Sequence, residues 1–222
     1  MTRWKEYVDK IEARYGKLIA EGKMTRSSKV VPINRSLKPK QWVLPSSQAL
    51  EILKASDAVA LASCLCRELA GRCDAPREVC FHLGGFARKT VERNEGRFVS
   101  MEEAEEVLRL AERSGLVHLT LFDPERKVFA LCSCCECCCH DFHLLKNRGR
   151  VDLVAHSEFI AATDLMLCAD CGECVPLCHF GARKMAEGRL VYDKETCYGC
   201  GLCVPACPVG ATVMKPREAS GE

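Results

Sequence analysis

Eighteen cysteines in 222 residues, gathered into four tight groups, constrain this chain more than any other feature. The groups are Cys64, Cys66, Cys73 and Cys80; Cys132, Cys134, Cys135, Cys137, Cys138 and Cys139; Cys168, Cys171, Cys174 and Cys178; and Cys197, Cys200, Cys203 and Cys207. Aromatics supply only 6% of the chain, and the 48% hydrophobic fraction counts the cysteines, so the apolar core is thin for this length. Bonds to metal can then supply cohesion that side-chain packing lacks. A secreted disulfide scaffold is usually shorter than about 100 residues. The start, Met1-Thr2-Arg3-Trp4-Lys5-Glu6, runs into charge and not into an apolar signal region. The longest apolar stretch, near Ala58 to Ala62, falls far short of the ~20 residues that span a bilayer. The expectation is a cytoplasmic protein, without a transmembrane segment, whose cysteines are metal or cluster ligands.

The last two groups are copies. Cys168-Ala169-Asp170-Cys171-Gly172-Glu173-Cys174-Val175-Pro176-Leu177-Cys178 is echoed about 29 residues later by Cys197-Tyr198-Gly199-Cys200-Gly201-Leu202-Cys203-Val204-Pro205-Ala206-Cys207. Each reads C-x2-C-x2-C-x3-C. Three cysteines spaced by two residues can wrap one face of a cubane, while the fourth points away to the neighbouring one. Zinc usually takes two separated C-x2-C knuckles instead. The repeat resembles the bacterial-type ferredoxin with two [4Fe-4S] clusters, over about 50 residues. That resemblance implies one cluster on Cys168, Cys171, Cys174 and Cys207, and a second on Cys197, Cys200, Cys203 and Cys178. Cys207 carries the usual following proline, Pro208, whereas Cys178 is followed by His179.

The upstream groups are looser. Cys64-Leu65-Cys66-Arg67, Cys73-Asp74-Ala75-Pro76 and Cys80 can enclose one cluster, with Arg67 or Arg72 near its negative charge. Buried free thiols and zinc are the alternatives. In Cys132-Ser133-Cys134-Cys135-Glu136-Cys137-Cys138-Cys139, an extended chain would turn Cys132, Cys134 and Cys138 to one side and Cys135, Cys137 and Cys139 to the other. One cluster is expected there, its ligands unassigned, against a thiol or disulfide redox site or inert thiols. Both strings resemble cysteine patterns of multi-cluster iron–sulfur proteins of anaerobes. His118, His140, His143, His156 and His179 lie near the cysteines, where hydrogen bonding is the ordinary role and cluster ligation the rare one.

The sequence predicts an α+β chain. A basic amphipathic helix and extended arm occupy residues 1–45, with Trp4, Tyr7, Val8 and Ile11 in its apolar stripe. A cysteine-rich, mainly helical region follows over 46–160. Its helices start at Ser46 or Ser47 and run to about Leu69, start after Asp74, and start at the Ser100 capping box. A hairpin over 116–131 completes a winged-helix-like outline. A pseudo-twofold dicluster domain occupies 161–216, with a small hairpin turning at Glu187-Gly188, and a tail covers 217–222.

Charge is uneven. Residues 1–42 carry eleven Lys and Arg against four Asp and Glu, although the whole chain is only +2. Electron transfer is the function these features favour, with two to four [4Fe-4S] clusters and a redox partner protein or oxidoreductase complex docked by the basic arm. The alternative is a small reductase, or a reductase subunit, with its substrate site at Cys132–Cys139. No nucleotide-binding glycine motif appears, and Gly84-Gly85 reads as close packing. Nucleic-acid binding is disfavoured, because the winged-helix outline would present the acidic run Glu102-Glu103-Ala104-Glu105-Glu106 to phosphate.

Overall fold

Apolar residues repeating every three or four positions build the first helix, α1 (Thr2–Ala20), which buries Trp4, Val8 and Tyr15 on one face. The computed structural model describes residues 2–31, 48–125 and 127–217. The α1 face packs on α3 (Leu65–Ala70) and α6 (His140–Arg148). Arg148 pairs with Asp9 at 2.5 Å and with Glu12, so the helix is anchored by charge as well. Over residues 2–31 the chain is therefore packed on the body. It also contributes a strand, β1 (Ser28–Val31). Pro32, Pro39 and Pro45, which suggested an extended stretch, lie outside the described residues.

The region expected to be mainly helical is built on a sheet. The helix predicted from Ser46 to Leu69 is three elements: α2 (Gln48–Lys54), β2 (Val59–Ser63) and α3. Val59-Ala60-Leu61-Ala62 is buried throughout, a run that suits a covered strand as well as a helix. Asp74 caps no helix. The chain from 71 to 77 is irregular and leads into β3 (Glu78–Leu83) and α4 (Gly84–Glu92). After β4 (Gly96–Phe98), α5 (Met101–Arg113) starts as its capping box predicts, with Glu103 N donating to Ser100 Oγ at 3.2 Å.

The predicted hairpin forms as β5 (Val117–Phe122) and β6 (Val128–Cys134). With β7 (Val154–Ala155) the seven strands run in the order β4-β2-β3-β6-β5-β1-β7. Both hairpin strands are interior to this sheet, so the hairpin is no free wing. Leu50, Leu53, Leu61, Phe81, Leu108 and Leu131 form a core between the sheet and α2 and α5. Strand alternation sends Cys80 on β3 and Cys132 and Cys134 on β6 to the opposite face. Phe81 pairs with Leu131, a register that sets Cys80 across from Cys132.

The C-terminal region is framed by β8 (Phe159–Thr163) and β11 (Thr212–Pro216), paired antiparallel. Between them β9 (Arg183–Ala186) and β10 (Arg189–Tyr192) form the expected hairpin, turning through left-handed Glu187 and Gly188. Rings at His156, Tyr198, Phe180 and Phe142 stack successively, at centroid separations of 4.0, 4.4 and 4.9 Å. They join this region to α6 through one continuous core.

Candidate metal centres

The two cysteine copies fold as loops that exchange their last thiols. Cys168, Cys171 and Cys174 line one small cavity together with Cys207, and Cys197, Cys200 and Cys203 line a second together with Cys178. Donors are aimed at the sulfurs. Ala211 N donates to Cys207 Sγ at 3.2 Å, and Arg183 Nη1 donates to Cys174 Sγ at 3.7 Å. Against the push of burial, the N–H groups of Thr212, Ala211 and Val209 hold the Cys207 thiol below its ordinary value. Burial pushes the Cys200 and Cys203 thiols up, the latter to about 12. Four sulfurs to a cavity, ringed by backbone donors, fit thiolate-ligated iron–sulfur clusters.

Residues 167–211 match the family of 4Fe-4S dicluster domains. Among curated proteins none matches the chain. The C-terminal region is thus ferredoxin-type, and [4Fe-4S] clusters are the cofactors of this α+β protein. The dicluster domain departs from its usual pattern at His179, and the structure gives that residue work. His179 Nε2 donates to the Gly115 carbonyl at 2.7 Å, its Nδ1 faces Glu136 at 3.6 Å, and its own carbonyl accepts from Lys146 Nζ at 2.8 Å. A proline there could make neither of the two ring contacts.

Arg183 is the buried cation of the dicluster domain, 3% exposed, bonded to Thr163 Oγ1 at 2.9 Å and stacked on Tyr192 at 4.5 Å. Burial opposes its charge, but the Cys203 and Cys174 thiolates more than offset that and raise its pKa. Positive charge so close to the ligand sulfurs favours cluster reduction. Arg183→Met is expected to lower the domain's reduction potential by roughly 100 mV, the one-electron equivalent of about 2–3 kcal/mol at an effective dielectric near 20. A redox titration followed by EPR measures it.

The upstream cysteines do not sort by their order in the sequence. Cys64, Cys66 and Cys80 from the first group line one cavity of about 580 Å³ together with Cys132, Cys134 and Cys139 from the second. Cys73 stands apart from its own group and meets Cys135, Cys137 and Cys138. Parity explains the first four members of the second group and fails for the last two. Strand β6 ends at Cys134, and residues 136–138 form a turn, which exchanges the sides of Cys138 and Cys139.

Thiols in the large cavity act on one another. Hydrogen bonds from Cys66 and Cys80 drive the Cys64 thiol down to about 2, and those from Cys134 and Cys80 lower Cys132. Tyr7 and Tyr15, read from the sequence only as helix stripe, also line it, and burial raises both phenols well above their ordinary value. His140 reaches Cys66 Sγ at 3.2 Å and Tyr15 Oη at 3.4 Å. His82, a further lining residue, bonds Thr90 Oγ1 at 2.7 Å, and burial lowers its pKa. His118 bonds Ser133 at 3.1 Å, and His143 packs edge-on against Trp4. Tyr7 and Tyr15 carried no separate chemical signal in the sequence, because their partners, Cys66 on α3 and His140 on α6, lie more than 50 residues away.

Arg67 separates the two upstream sites. It is 1% exposed and donates to the Pro76 carbonyl at 2.9 Å and the Ser133 carbonyl at 2.7 Å. Burial opposes its charge, while the Cys64, Cys135 and Cys134 thiolates hold it. Of the two arginines named from the sequence, Arg72 stays at the surface, donating to the Cys137 carbonyl at 3.1 Å.

Proposed function

We propose that this protein carries single low-potential electrons between a donor and a partner oxidoreductase, in the manner of a polyferredoxin of anaerobic metabolism. The observation that carries the reading is the exchange of fourth thiols between the two dicluster cavities. One cluster takes Cys168, Cys171, Cys174 and Cys207; the other takes Cys197, Cys200, Cys203 and Cys178. The clusters accept and release the electrons, and the chain sets their potentials through burial, N–H donors and Arg183.

Entry is at the first cavity. Cys171 is exposed there, beside Leu165, Met166 and Leu167, of which Met166 is 93% exposed. An apolar lip beside an exposed ligand suits brief docking of a redox partner. From the second cavity the route continues through the core that Cys200 shares with Phe180, Phe142, Cys134 and Cys139 to the six-cysteine cavity, where a further cluster binds. The basic N-terminal stretch steers the partner, although the apolar face of α1 is already occupied.

A second reading is favoured by the six-cysteine cavity itself. Its volume falls within the ~300–1,000 Å³ of small-molecule sites, it offers more thiols than one cubane uses, and protonated Tyr7 and Tyr15 stand within it. A reductase site fed by the dicluster domain would have this form. Cys134→Ser separates the readings. For a carrier, the variant loses the cluster of that cavity, while the dicluster domain still passes electrons one at a time from a chemical reductant to a one-electron acceptor such as cytochrome c at its exposed Cys171 edge. Intact dicluster iron with no such transfer contradicts the proposal, and loss of small-substrate reduction alone favours the reductase.

A further inference from the structure

We propose that Cys73, Cys135, Cys137 and Cys138 bind one tetrahedral metal ion as four thiolates, and not a cubane cluster. The distances carry this. Cys73 Sγ lies 3.7 Å from Cys135 Sγ and 3.8 Å from Cys138 Sγ, and Cys137 Sγ lies 3.7 Å from Cys138 Sγ. All four sulfurs fall within 4.8 Å of one another. A tetrahedron with metal–sulfur bonds of about 2.3 Å has edges of about 3.8 Å. A cubane interposes iron and sulfide between its thiolates and spreads them to roughly 6.5 Å. Among the described residues no other group of three or more ligand side chains is drawn together in this way, the dicluster cysteines included.

The surroundings suit a closed structural site. Cys138 is fully buried and Cys135 nearly so, packed with Val79, Ala111 and Leu116, while Cys137 reaches the surface. The chain from 71 to 77 has no regular structure of its own, and the ion ties it to the turn at 136–138. Four thiolates around a divalent ion leave a charge of −2, and Arg67 and Arg72 both lie against these loops. Binding releases the thiol protons as the four metal–sulfur bonds form, with no change of oxidation state. The ion is zinc, or iron in the same tetrathiolate coordination. It also holds Cys134 and Cys139, which flank the turn, facing the large cavity.

X-ray absorption at the metal edge tests the site in the full-length protein purified without oxygen. Zinc is expected at about one ion per chain, with four sulfur neighbours near 2.3 Å and no metal neighbour. If iron fills the site instead, the ferric form shows a mononuclear high-spin EPR signal, and the proposal stands. Cys137→Ser, at the exposed ligand, is expected to lose that one ion while the iron and sulfide of the other sites remain. Loss of about four irons with four sulfides in Cys137→Ser would overturn the proposal. So would a wild-type protein that contains neither the zinc nor the mononuclear iron.

Discussion

Gly199→Ala is expected to prevent assembly of the second dicluster site. Gly199 has φ of +78°, and a Cβ there would stand 2.0 Å from the Phe159 carbonyl oxygen, 2.9 Å from Ser157 Cβ and 3.0 Å from the Phe159 carbonyl carbon. These are largely backbone atoms at the start of β8, so no side chain can swing aside. The loop cannot retreat either. Ser157 N donates to the Tyr198 carbonyl at 3.0 Å, and Arg217 holds the Cys197 carbonyl at 2.5 Å. The cost exceeds about 4 kcal/mol, in the range reserved for severe steric conflict. Gly188→Ala is the control. Its φ is +76°, but a Cβ meets nothing within 4 Å, so it costs only the left-handed penalty of about 1–2 kcal/mol. Iron content and anaerobic thermal unfolding of the two variants measure the difference. Equal iron retention in both would show that the loop moves freely.

Arg67→Met is expected to destabilise the body by about 3–5 kcal/mol, because it leaves buried charge and two carbonyls without their donor. The side chain bridges Pro76 and Ser133 across the gap between the two upstream sites, against thiolates on both sides. Arg67→Lys recovers little, since one ammonium cannot reproduce the fork. Arg72→Met removes a bond at the surface and costs within about 1 kcal/mol. Denaturant midpoints of the holo-proteins, measured without oxygen, rank the three. Metal bound at the two upstream sites is expected to be lost first in Arg67→Met.

The dicluster domain was legible because its ligands are local. Spacing within eleven residues, repeated once, carries the resemblance to dicluster ferredoxins, and that resemblance implies the exchange of Cys178 and Cys207. The capping box at Ser100 and the hairpin at Glu187-Gly188 were legible for the same reason. The upstream sites were not, because their ligands meet across the sheet. No spacing rule pairs Cys73 with Cys135 or Cys80 with Cys132; the β3–β6 register sets Cys80 across from Cys132, and the irregular chain from 71 to 77 brings Cys73 to the turn that follows β6. The helix read from Ser46 to Leu69 failed because Val59 to Ala62 satisfies either period, and burial on both faces settles it as a strand. His179 showed in the sequence as an exception, but its purpose needed the Gly115 carbonyl, 64 residues away.

Electron transfer as proposed rests on the binding of iron and sulfide in two clusters by the thiols of residues 168–207. It is tested most directly by counting iron and acid-labile sulfide in protein purified without oxygen, with the dithionite-reduced sample followed by EPR. At least about eight of each per chain are expected, with the broadened spectrum of two interacting reduced cubanes. Zinc without sulfide, or disulfides among those eight cysteines, would contradict it.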